Sequence, residues 1–119
     1  MSVFGYITDT FQDDEFRAEC QRYKAHKDQD VIDKFNSARD FKAFESILSL
    51  IRRRMGKAGS IANQITRYKR DKEMDKPNHK KRIENYINNG VSEDDARDTY
   101  DWYKNFQSKV ETTMKSFQK

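Results

Sequence analysis

At 119 residues the chain is long enough to fold as one domain, residues 1–119, around its own core without a disulfide or metal staple. Its hydrophobic content of 34% is low against the roughly 45–50% of typical globular chains, but eight Phe, six Tyr and one Trp argue against a disordered segment. A net charge of +4, a single cysteine and the absence of any apolar run near ~20 residues leave no disulfide scaffold and no membrane span, so a cytoplasmic location is expected. The first residues carry no basic leader with an apolar run, so no signal peptide is read there.

Phe11, Phe16, Cys20 and Tyr23 recur at helical spacing and predict a first helix over 10–25, with Thr10 and Asp13 as a capping box. The next stretch, 28–55, changes phase. At about 100° per residue Val31, Phe35, Ala38 and Phe41 share one stripe, whereas Phe44, Leu48, Ile51 and Met55 share another on the opposite side. One straight helix would leave a stripe in water, so two helices are expected, broken near Arg39-Asp40 with Asp40 as the second N-cap. Gly56-Lys57-Ala58-Gly59-Ser60 reads as a stop, with Ser60 capping a helix over 61–74 that turns Ile61, Ile65 and Tyr68 inward.

Asp75-Lys76-Pro77-Asn78 predicts a turn, and 79–89 a helix burying Ile83, Tyr86 and Ile87 and closed by Gly90. Ser92 and Asp95 then cap a long amphipathic helix over 93–117, with Ala96, Tyr100, Tyr103, Phe106, Val110, Met114 and Phe117 in one stripe. The expected fold is all-α, a single domain of five or six short helices ending in that long C-terminal one.

Charge is segregated along the chain. Residues 1–51 hold seven basic and ten acidic side chains, residues 83–119 five and seven, and residues 52–82 twelve and three. The central cluster supplies the candidate anion-binding residues Arg52, Arg53, Arg54, Lys57, Ser60, Asn63, Arg67, Arg70, Lys80, Lys81 and Arg82. Arg, Lys and Asn facing outward from successive helices are the residue types that contact phosphates and base edges. The Gly56–Ser60 loop, opening a helix, would add free N–H groups beside Lys57, although it is no Walker loop.

Other motifs carry less. Residues 83–103 outline a helix-turn-helix, but Glu93-Asp94-Asp95 would repel DNA at the groove edge, and Tyr86 stands where that motif buries a small residue. His26 and His79 are the equipment of a metal-free nuclease-type toxin, with no spacing that brings them together, and one Cys with two distant His matches no zinc site. Trp102 and Tyr103 are candidates for a protein interface.

The expectation is therefore a non-enzymatic accessory protein of the phage or mobile-element type, without cofactor, metal or catalytic residues. It would bind DNA or RNA through the phosphate backbone; the alternative is an inhibitor or adaptor docking an acidic protein surface. The acidic flank of the last helix, Glu93, Asp94, Asp95, Asp98 and Asp101, could also meet a second copy's basic face in a homo-oligomer.

Overall fold

A computed structural model describes residues 3–71 and 77–117, with side chains from Asp14 onward and Asn78 excepted. Within them the fold is all-α and no strand is present. The five helices are α1 (Val3–Ala25), α2 (Gln29–Ser37), α3 (Phe41–Arg70), α4 (Pro77–Asn88) and α5 (Glu93–Lys115).

The phase change between 28 and 55 becomes the α2–α3 corner. Ala38 and Asp40 take extended backbone, and the Asp40 carboxylate accepts from the Ala43 amide at 2.8 Å. The corner lets both stripes reach the same core: Val31 and Ile51 are fully buried, and Phe44 and Leu48 are buried beside them. Ser92 and Asp95 close the expected capping box at the head of α5. Gly90 follows α4 at φ 86°, in the left-handed region that glycine adopts without a Cβ penalty.

Several expected boundaries are corrected. The helix placed at 10–25 begins at Val3, so Thr10 is an interior position of α1 and not its N-cap; the side chains of Thr10, Phe11 and Asp13 lie outside the described residues. More consequentially, Gly56–Ser60 is no break, because α3 runs through it for 30 residues, about 45 Å. The two glycines cost the helix roughly 1 kcal/mol each relative to alanine. Ala58, Ile61, Ala62 and Ile65, all buried, extend the stripe of Ile51 without a phase change. A fully buried isoleucine alone contributes roughly 1.5–3 kcal/mol, so packing outweighs propensity. The 61–74 helix is therefore the second half of α3 and stops at Arg70, with Asp71 as C-cap. Pro77 and Asn78, expected in the turn, instead form the first residues of α4, where proline's missing N–H costs nothing, so this helix starts at 77 and not at 79; Asp75-Lys76 lie outside the described residues.

α3 and α5 run antiparallel through two hydrophobic clusters. In one, Ala58, Ile61, Ala62 and Ile65 meet Ala96, closed by Cys20 and Tyr23 of α1 and Ile83 and Tyr86 of α4. In the other, Phe44, Ile47, Leu48 and Ile51 meet Tyr103 and Val110, closed by Val31 of α2. Phe117, expected in the apolar stripe, lies past the end of α5 and is exposed. The molecule measures 54 × 39 × 21 Å, and its thin dimension equals about two helix diameters. A slab two helices thick has little interior, which is why so few apolar residues suffice.

Candidate nucleic-acid interface

The continuity of α3 reorganises the basic cluster. With Ile51, Ala58, Ala62 and Ile65 inward, the 3.6-residue period sends Arg52, Arg53, Gly56, Ser60, Asn63, Arg67 and Arg70 to the opposite arc, and all seven are exposed. From Ser46 to Arg70 the sequence holds no acidic residue. Among the described residues none of these four arginines is paired with a carboxylate. The rise of 1.5 Å per residue places the pair Arg52-Arg53 about 20–27 Å from the pair Arg67 and Arg70, with the small residues Gly56 and Ser60 between them.

Arg54 does not belong to this face. Its guanidinium turns inward onto Asp28, whose carboxylate is completely buried, and its second amino group reaches Asp30 at 3.1 Å. The same Asp28 oxygen accepts the Tyr103 hydroxyl at 2.6 Å, and Arg22 stands 3.9 Å away. The other Asp28 oxygen caps α2 through the amides of Asp30 and Val31 at 3.1 and 3.4 Å. Partial burial works against the charge of Arg54, but the Asp28 and Asp30 carboxylates outweigh it and hold the guanidinium more firmly protonated than usual. Tyr103, expected at an interface, is fully buried; burial and then the Asp28 carboxylate raise its hydroxyl pKa. Only Trp102 of that pair is half-exposed, stacked on Phe106 at 4.9 Å.

Lys57 is also committed within the chain. Its ammonium sits 2.9 Å from Glu19, which accepts the hydroxyls of Tyr86 at 2.7 Å and Tyr23 at 3.2 Å. Burial opposes ionisation of Glu19, yet the Tyr86 hydroxyl and Lys57 together hold its carboxyl below the ordinary range. Lys57 and Arg82 share a groove of about 590 Å³ with Glu15, Glu19, Asn85 and Asn89, so Arg82 faces mixed charge. Lys81 is exposed on α4 and Lys80 half-buried. The central cluster is thus the outer face of one long helix, with a second, shorter contribution from α4.

Ser60 is corrected with the helix boundary: inside α3 it caps nothing, and its hydroxyl accepts from Gln64 at 2.8 Å. Backbone amides in a helix interior are already bonded, so Gly56–Ser60 offers no phosphate-binding loop. His26, at φ 63° just past α1, lies 3.0 Å from Asp95 and 3.0 Å from Asp98 through its two ring nitrogens. His79 is exposed in the first turn of α4. No group of three metal-ligating side chains occurs among the described residues, and no described helix is long and apolar enough to cross a membrane. Sequence reasoning missed Asp28 and Glu19, the two carboxylates that take Arg54 and Lys57 out of the basic face. No protein-family model, curated protein or solved structure matches the chain.

Proposed function

We propose that this protein binds nucleic acid through the phosphate backbone, using the outer face of α3. The observation that carries the reading is a continuous exposed stripe with two arginine pairs, small residues between them and no carboxylate on the helix from Ser46 to Arg70. Arginine grips phosphate oxygens bidentately, and four unpaired guanidinium groups spaced over about 20–27 Å match several consecutive phosphates of one strand. Asn63 adds a neutral amide with both donor and acceptor. Lys80, Lys81 and Arg82 stand as secondary contacts, whereas Arg54 and Lys57 act indirectly, by fixing α3 to α2 and α1.

Binding of fluorescein-labelled DNA and RNA oligonucleotides at low salt, read by anisotropy, tests this. Micromolar affinity that weakens steeply with added salt is expected, and no binding of either polymer at 20 mM salt removes the proposal. The adaptor reading rests on a neighbouring surface that shares Arg53 with the stripe. A groove of about 470 Å³ between α2 and α3 is lined by apolar Ala38, Ala43, Ile47 and Leu50 and by Lys34, Arg53 and Arg54 against a single carboxylate, Asp30, a lining suited to an acidic amphipathic segment. Nuclease-insensitive co-purification of one protein, lost in Leu50→Asp, would favour it.

A further inference from the structure

Between the two arginine pairs the α3 stripe borders a groove against α5. It encloses about 390 Å³ and is lined by Gly59, Ala62 and Asn63 of α3 and Arg97, Tyr100 and Asp101 of α5. Tyr100 is half-buried, and a Cβ added at Gly59 would lie 3.2 and 3.4 Å from its Cδ2 and Cε2. Glycine at this position is what lets the aromatic ring settle against α3. The polar lining divides in two. Arg97 is held by Glu93 at 2.8 Å and by the Thr66 hydroxyl at 3.3 Å, whereas Asn63 and Asp101 are exposed and have no hydrogen-bond partner among the described residues.

A half-exposed ring beside a free amide and a free carboxylate is poor at holding phosphate, because Asp101 repels it. It is well suited to a nucleobase. The ring packs in part against the first core cluster and its exposed part would serve as a stacking surface, the carboxylate would accept from an exocyclic amine, and the amide would both donate and accept along a base edge. Asn63 lies about 10 Å along the helix from Arg70 and about 16 Å from Arg52, so a strand whose phosphates follow the arginines passes over the groove. A paired base in a duplex has its Watson–Crick edge occupied, whereas a single strand can turn a base outward.

We infer that the α3–α5 groove is a nucleobase site for single-stranded nucleic acid, with Tyr100 as stacking platform and Asn63 and Asp101 selecting bases that carry an exocyclic amine. This inference rests on the phosphate-binding reading of α3 and adds the polymer class and a base contact to it. The test compares four 12-nucleotide ligands by anisotropy: oligo-dC, oligo-dT, an abasic backbone of the same length and a blunt duplex. The order expected is oligo-dC above oligo-dT above the abasic strand. Tyr100→Ala weakens oligo-dC about tenfold or more with the abasic strand unchanged, and Tyr100→Phe keeps the affinity. Asp101→Asn, an exposed change that spares the core, narrows the gap between oligo-dC and oligo-dT. Equal binding of oligo-dC and the abasic strand, or an unchanged oligo-dC affinity in Tyr100→Ala with its melting temperature retained, overturns the base site while leaving the phosphate stripe intact. Failure of all four ligands to bind overturns the stripe and the site together.

Discussion

Asp28 shows how a charge that never reaches solvent shapes the surface that does. Its carboxylate caps α2 and brings Arg54 of α3 and Tyr103 of α5 to one point. Removing Arg54 takes the nearest cation from a fully buried carboxylate, so Arg54→Ala is expected to cost about 3 kcal/mol, read by urea denaturation. Tyr103→Phe removes one hydrogen bond to the same carboxylate and should cost about 2 kcal/mol. Nothing in the sequence marks this hub: Asp28 sits in a polar run, and its partners are 26 and 75 residues away. Glu19 is a second such residue. Its carboxyl titrates lower folded than unfolded, so the stability it contributes is complete above about pH 4.5 and is lost as pH falls through the lower folded value. Glu19→Gln should flatten the acid limb of a stability–pH curve below pH 4.5. Cys20 is buried, and burial followed by the Glu19 charge pushes its thiol up to about 11, so alkylation by iodoacetamide at pH 8 should proceed only as fast as the protein opens.

At the scale of the helix, α3 is where local and global signals disagree. Gly56 and Gly59-Ser60 are the stop-and-start residues of helix boundaries, and they suggest a break. The apolar positions 51, 55, 58, 62 and 65 advance by four, three, four and three without a phase shift, the same count that correctly exposed the α2–α3 corner. The information was in the sequence, but punctuation residues outweighed periodicity. Each glycine now has a separate consequence. A Cβ at Gly56 would meet nothing within 4 Å, so Gly56→Ala should stabilise the protein by about 0.5–1 kcal/mol, seen as a higher melting temperature. At Gly59 the same change presses on Tyr100, and the gain should be smaller or reversed. The other elements were legible for physical reasons local to them: the Ser92–Asp95 capping box, the Asp40 cap and the left-handed Gly90 are each written within four residues.

The whole molecule is a thin slab in which α3 carries the positive charge and α5 an exposed acidic flank of Asp94, Asp98 and Asp101. The uneven charge distribution was readable from composition along the chain; its confinement mainly to one helix face was not, because that depends on long-range pairing of Arg54 and Lys57 and on α3 being continuous. Electrostatic binding of this kind releases counterions, with a salt slope of about 0.7 per phosphate contacted on a single strand. Four arginines therefore predict a slope near −3 for log affinity against log salt concentration, and Arg67→Ala with Arg70→Ala should reduce its magnitude by about 1.4. The most direct measurement is that slope, for the wild type and this double variant on one oligonucleotide between 20 and 200 mM salt. A steep slope that the double variant flattens is the predicted result; equal slopes for the two proteins would place the binding surface elsewhere and contradict the account.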